Sequence, residues 1–239
     1  GMAAALADDA VTSIVLICDG RTFIAGADIT EFGGAAQGKS LQEAQAAMEN
    51  STKPVVAAIH GTALGGGLET AMAAHYRVGV ASAKFGLPEV KLGLLPGAGG
   101  TQRLPRVTGV AKALEMMTSG EPIGADEALE CGLISEIVDD LEAGAIAFAE
   151  KVVAEGLPLV RIRDFDEKLA DARENPEIFD NFRAGIARKT RNFLAPEYNV
   201  QCIEAAVNLP FDEGLQRERE LFTELMTGNQ SAAQRYCFF

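Results

Sequence analysis

Pro54-Val55-Val56-Ala57-Ala58-Ile59-His60-Gly61-Thr62-Ala63-Leu64-Gly65-Gly66-Gly67-Leu68-Glu69 decides the fold. Residues 54–59 are an unbroken apolar run between a proline and His60-Gly61, which reads as a buried strand. Residues 68–74 then take helical spacing. The three glycines between them let backbone N–H groups point at a ligand with no Cβ in the way. The dipole of the following helix favours negative charge there. The turn is thus a ready oxyanion site, with Glu69 in the first helical turn beside it. The same glycines also suit close packing of helix on strand, with Glu69 an ordinary first-turn acid. Both readings stand on this stretch alone.

Upstream, residues 13–18 (SIVLIC) are a second branched apolar run, ending at the turn Asp19-Gly20, and residues 41–50 have helical spacing. Downstream, residues 76–81 and 133–138 read as strands. Residues 110–119, closed by Gly120, 125–131 and 141–155 read as helices. Strands alternating with helices point to a parallel β-α-β arrangement. After about residue 160 the strand signals stop. Residues 164–173, 176–191, 196–208 and 212–227 read as helices, the last with Leu221, Phe222, Leu225 and Met226 on one face. The expected organisation is an α/β core over residues 1–160 and a helical region with a linker helix over residues 161–239.

The 239 residues carry a net charge of −13, which repels nucleic acid and anionic membrane surfaces. No apolar run reaches the ~18 residues of a membrane span. Two histidines, His60 and His75, and four scattered cysteines, Cys18, Cys131, Cys202 and Cys237, offer neither a zinc site nor a disulfide framework. No metal is expected, and a reducing compartment such as the cytoplasm fits. His60 reads as a strand-end packing residue. His75 reads as a cation meeting the end of a helix dipole, and the cysteines as small buried hydrophobes.

Two further glycine-rich stretches complete the pattern. Phe23-Ile24-Ala25-Gly26-Ala27-Asp28-Ile29 follows the first strand. Phe85-Gly86-Leu87-Pro88-Glu89 leads into Gly93-Leu94-Leu95-Pro96-Gly97-Ala98-Gly99-Gly100-Thr101-Gln102-Arg103. Together the three stretches resemble the crotonase superfamily, also called the enoyl-CoA hydratase/isomerase family, over about residues 10 to 155. The resemblance implies an α/β crotonase-like core, a superhelix of β-β-α units, followed by C-terminal helices. It implies that the amides of Ala27 and Gly66 hold a thioester carbonyl. Glu69 and Glu89 match the family's two carboxylates, Glu69 as water activator and Glu89 as proton donor. Two such neighbours tend to titrate as one coupled pair. Ala25, Asp28 and Ile29 match the stretch whose backbone meets the adenine of coenzyme A. Gly97 matches the backbone near the reacting water and acyl carbon. Arg103 and Arg106 read as helix-surface or subunit contacts, with the phosphates of coenzyme A as the other option.

The implied activity is hydration of 2-trans-enoyl-CoA to 3-hydroxyacyl-CoA in fatty acid β-oxidation, with isomerisation of 3-enoyl-CoA a companion activity. Other acyl-CoA chemistry on the same fold, or a truncated acyl-CoA-binding piece without catalysis, are the alternatives. Coenzyme A is then part of the substrate and no cofactor is needed. No Gly-x-Gly-x-x-Gly follows a strand, so no NAD site is expected. Arg217-Glu218-Arg219-Glu220-Leu221-Phe222 and Asn229-Gln230-Ser231-Ala232-Ala233, running into Phe238-Phe239, resemble the linker helix of multifunctional β-oxidation enzymes. In those, a 3-hydroxyacyl-CoA dehydrogenase domain follows. The β-hairpin and helix with which the family begins have no counterpart before Ala10, which would leave a sheet edge open. Thr30 stands where many relatives carry a lysine. The expected partner is an acyl-CoA thioester, without nucleic acid or membrane. Trimers, hexamers and a monomer all remain open as assembly states.

Overall fold

A computed structural model describes residues 1–27, 38 and 40–238. In chain order these form α1 (Met2–Ala7), β1 (Ile14–Leu16), α2 (Leu41–Glu49), β2 (Val55–Ile59), β3 (Thr62–Leu64), α3 (Gly66–Ala73), β4 (Tyr76–Gly79) and β5 (Lys84–Gly86). After a 3-10 turn at Pro88–Leu92 come α4 (Gly100–Thr108), α5 (Val110–Ser119), β6 (Ile123–Gly124), α6 (Ala125–Glu130), β7 (Glu136–Ile137) and α7 (Leu141–Ala154). The remainder is α8 (Ala170–Glu174), α9 (Glu177–Ile186), α10 (Ala195–Asn208), α11 (Phe211–Thr227) and α12 (Asn229–Phe238). The chain makes two compact units, Gly1–Phe85 with Ile123–Asp164, and Gly86–Pro122 with Phe165–Phe239. The expected division lies near residue 160, between an α/β core and a helical region. Residues 86–122, however, group with the C-terminal helices, because α10 packs on α4 and α5.

In the first unit β1, β2, β4 and β7 form a parallel sheet in that order. Every residue of β2 is buried, as a strand covered on both faces requires. On one face Val56, Ala58, Val78 and Val138 meet Ala145, Phe148, Ala149 and Val152 of α7. Tyr76 sets its ring edge-on to Phe148 at 5.6 Å between centroids. Burying each larger side chain of this layer is worth about 1.5–3 kcal/mol. β7 is shorter than the apolar run 133–138 predicts. The Leu133 carbonyl accepts from Arg77 Nε at 2.6 Å, and Ser135 N–H donates to the Arg77 carbonyl at 2.7 Å. Arg77 also donates from Nη1 to the Ala74 carbonyl at 2.8 Å, closing the end of α3. Burial pushes its pKa down to about 10, so it stays cationic at neutral pH.

His75 overturns its expected role as a cation at a helix end. It is buried, and its Nδ1 accepts the Val55 N–H at 3.0 Å. An accepting ring nitrogen requires the neutral imidazole. Burial is the main cause that lowers its pKa below the usual histidine value, opposed chiefly by the Glu49 backbone. A depressed folded-state pKa means that protonation favours the unfolded chain. The stabilisation is therefore complete above about pH 6.5 and is lost as the pH falls from there through the folded-state pKa. The melting temperature should fall over that window. A His75→Gln variant, whose carbonyl can accept the Val55 N–H at any pH, should lose much of that dependence. An unchanged pH profile in the variant would remove His75 as the cause.

In the second unit α10 contacts α4, α5, α8, α9 and α11, and α4 packs on α5. All nine residues of α4 are buried, including Arg103 and Arg106. These arginines are internal rather than the surface groups that their charge suggested. Their guanidinium carbons stand 5.2 and 5.1 Å from the centroid of the Phe211 ring. Arg106 further donates to the carbonyls of Gln102 and Ala206. The single helix expected over residues 164–173 is instead two 3-10 turns, Ile162–Asp164 and Glu167–Leu169, and the five-residue α8. Asp166 grips Arg173 through two bonds of 2.8 and 2.9 Å, which bends the chain back on itself. The Arg173 hydrogen bonds hold the Asp166 carboxyl below its ordinary pKa. Of the four cysteines only Cys202 is fully buried, and burial pushes its thiol pKa up. Cys18 and Cys131 are half-buried and Cys237 is exposed, so the expectation of four buried thiols holds for one.

Candidate active site

The first unit carries Ala25, Ala27, Gly66 and Glu69. Residues 22–24 run beside β3 and are pinned to it. Phe23 N–H donates to the His60 carbonyl at 2.9 Å, and Leu64 N–H to the Ile24 carbonyl at 3.0 Å. The Thr22 hydroxyl accepts the Thr62 N–H at 2.8 Å and donates to the Thr62 carbonyl at 2.8 Å. His60 contributes its carbonyl to this ladder and sets Nε2 3.2 Å from the Gly20 carbonyl, the packing role expected of it.

The three glycines divide the work. Gly65 has φ 53°, the turn that ends β3 and starts α3. Gly67 permits close approach, since a Cβ there would stand 2.0 Å from the Ile24 carbonyl oxygen. Gly66 faces the neighbouring segment, and a Cβ on it would lie 4.0 Å from the Ala27 amide nitrogen. The Ala27 amide thus lies near the start of α3. Among the described residues neither the Ala27 nor the Gly66 N–H donates to a backbone carbonyl. Ala25 and Ala27 are exposed and Gly66 half-buried, whereas Glu69 is 3% exposed. Glu69 N–H donates to the Gly65 carbonyl at 3.0 Å, which places the acid one turn beyond the donors. The packing reading of the glycine run thus falls on Gly67, and it leaves Gly66 open to the oxyanion reading. Asp28 and Ile29, and Thr30 after them, lie outside the described residues.

The second unit carries Glu89 and Gly97. Glu89 sits in the 3-10 turn opened by Pro88, whose fixed φ suits a first helical position. Its carbonyl accepts the Leu94 N–H at 3.0 Å, and its residue is half-buried. The turn packs on α5 and α12. Gly97 lies against the ring of Phe222 in α11, where a Cβ would come within 2.7 Å of the ring. Next to it the Glu218 carboxylate caps α4. It accepts the Gly99 N–H at 2.7 Å, the Thr101 N–H at 3.2 Å and the Thr101 hydroxyl at 2.5 Å.

Sequence reasoning missed Thr22, Thr62 and Glu218. Glu218 sits in the charge run Arg217–Glu220, which looks like a solvated face. Its spacing was the available signal. Phe211, Gly214, Glu218, Leu221 and Leu225 are the buried positions of α11, so an acid occupies the helix's apolar stripe.

Three comparisons with known proteins bear on the site. A sequence profile described as enoyl-CoA hydratase/isomerase matches residues 2–178. The chain is 41% identical over 239 residues to a peroxisomal bifunctional enzyme of Danio rerio, covering all of this chain and 33% of that protein. It is 49% identical over 161 residues to a probable enoyl-CoA hydratase of Bacillus subtilis (strain 168), covering 60% of this chain and 61% of that one. A solved enoyl-CoA hydratase subunit I from Geobacillus kaustophilus HTA426 superposes with a TM-score of 0.58 at 28% identity. That match covers 99% of this chain and 82% of the other. The chain spans about a third of the length of the bifunctional relative.

Proposed function

Because the chain belongs to the enoyl-CoA hydratase/isomerase family, we propose that it adds water reversibly across the 2,3 double bond of a 2-trans-enoyl-CoA. The product is a 3-hydroxyacyl-CoA, and the setting is fatty acid β-oxidation. The observation that supports this reading is the closeness of the Ala27 amide to Gly66 at the start of α3, with Glu69 one turn further on in the same helix. The thioester oxygen accepts from both N–H groups. It becomes an enolate oxygen as water attacks C3, and donors fixed in advance stabilise that charge, each worth about 3 kcal/mol. The N-terminal end of α3 adds its dipole in the same sense. Glu69 takes a proton from the attacking water, and Glu89 delivers one to C2. Water's oxygen ends on C3, one proton on C2, and the two carboxyls exchange protonation states before the next turnover.

Ala25, Asp28 and Ile29 are proposed to line the coenzyme A side, and Gly97 the side of the reacting water. Coenzyme A arrives with the substrate, and neither NAD nor a metal takes part. We propose that the chain is the hydratase part of a longer protein in which a 3-hydroxyacyl-CoA dehydrogenase domain follows; the Danio rerio relative is named a bifunctional enzyme. Among the described residues no helix is long and apolar enough to cross a membrane. The compartment proposed is the cytoplasm, although that relative carries a peroxisomal name.

Moving a double bond between C3 and C2 needs only one carboxylate to shuttle a proton between C2 and C4. Some isomerisation should therefore accompany hydration at the same amides. Crotonyl-CoA loss and conversion of a 3-enoyl-CoA, followed separately, measure the two. With both carboxylates present, hydration should be the faster. A chain that isomerises and does not hydrate would refute the assignment of two working carboxylates.

A further inference from the structure

We propose that Glu218 is a positioning residue for the reaction, holding the turn that carries Gly97 in its working shape. The proposal rests on the hydratase reading of that turn. Glu218 is 1% exposed, and both of its carboxylate oxygens are used at the head of α4. One accepts the Gly99 N–H, and the other accepts the N–H and hydroxyl of Thr101. The N–H groups that open a helix have no partner within it, and the helix dipole favours a carboxylate at that end. The Thr101 hydroxyl is itself fixed by accepting Gln102 Nε2 at 2.9 Å. Gln102 Nε2 also reaches the Cys202 carbonyl of α10 at 3.0 Å. One helical turn beyond Glu218 on α11, the Phe222 ring covers Gly97. Residues 97–101 are thus held at two points from a single helix face, by charge at one end and by an aromatic ring at the other.

Such burial of a carboxylate is costly unless it is fully hydrogen-bonded, and an apolar side chain would fit the stripe of α11 with less penalty. The turn gains from it a fixed backbone. Displacement of a catalytic element by about 1 Å costs as much as ~100-fold in rate.

Glu218→Gln keeps the shape and sets an amide donor against donors. Assayed on crotonyl-CoA well below its melting temperature, it should lose about 10-fold or more in kcat, with KM changed by less than about 3-fold. Amide hydrogen exchange at Gly99 and Thr101 should rise. Thr101→Val removes one of the three donors and should show the same pattern, weaker. It decides the matter if Glu218→Gln does not fold. A variant that melts earlier while kcat is unchanged overturns the proposal, because it shows stabilisation alone. So does unchanged exchange at Gly99 and Thr101. A native chain that fails to hydrate crotonyl-CoA sinks the hydratase reading and the positioning role with it. The exchange measurement would still report separately whether Glu218 holds the turn.

Discussion

Glu69→Gln should lower kcat for crotonyl-CoA hydration by about 100- to 10,000-fold, the range for losing a general base. That loss corresponds to roughly 3–5 kcal/mol of transition-state stabilisation. Glutamine has the same shape, and α3 keeps its Glu69-position N–H bond to the Gly65 carbonyl, which is a main-chain contact. The fold should therefore survive, with a melting temperature close to that of the native chain. KM should change little, because coenzyme A and the thioester oxygen are held by other groups. Glu89→Gln should cost a comparable factor. The double variant should fall short of the product of the two, since residues that act as a unit are non-additive. Crotonyl-CoA hydration by Glu69→Gln at the native rate would end the assignment of Glu69.

Gly67→Ala should be severely damaging, since a single methyl group there has no room. Its Cβ would stand 2.0 Å from the Ile24 carbonyl oxygen, 2.7 Å from the carbonyl carbon and 2.8 Å from the Ile24 Cβ. Two of those atoms are backbone, which cannot rotate aside as a long side chain can. The segment 22–27 or the start of α3 must move, and either motion parts Ala27 from Gly66. Overpacking of this kind costs about 3 kcal/mol or more, roughly 6–12 °C in melting temperature for a chain of this size. Activity should fall below detection together with stability. Gly185→Ala is the control. It lies on the exposed side of α9, where a Cβ meets nothing within 4 Å, and it should stabilise by about 0.5–1 kcal/mol. A Gly67→Ala chain that melts with the native one would contradict the packing described.

The elements legible in the sequence are those whose burial follows apolar spacing. β2 spans residues 55–59 of the run predicted over 54–59. α5 and α11 match their periodic patterns almost to the residue. α4 escaped, because its own sequence is polar although the helix is buried. Gly-Thr-Gln-Arg-Leu-Pro-Arg is largely polar, carries a proline and has no side-chain cap of its own. Most of its side-chain donors are met by carbonyls and by Glu218, partners that only the folded chain supplies. His75 failed for a similar reason, since helix position suggests a charge and the Val55 N–H dictates its absence. For the candidate site, the family resemblance carried by the glycine motifs named Ala27, Gly66, Glu69, Glu89 and Gly97. What they could not reveal was the support beneath them, which comes from Thr22 beside β3, from Thr62 on β3 and from a helix more than a hundred residues away.

The detour of residues 86–122 through the second unit has a consequence for synthesis. As the chain leaves the ribosome, the sheet of the first unit lacks β7 until residue 137 has emerged. The stretch bearing Glu89 and Gly97 waits longer still, for α10 and α11. Pairings so far apart along the chain form late. A nascent chain halted after α7 would hold all three glycine motifs and yet lack α10, α11 and α12, which complete the packing of the third.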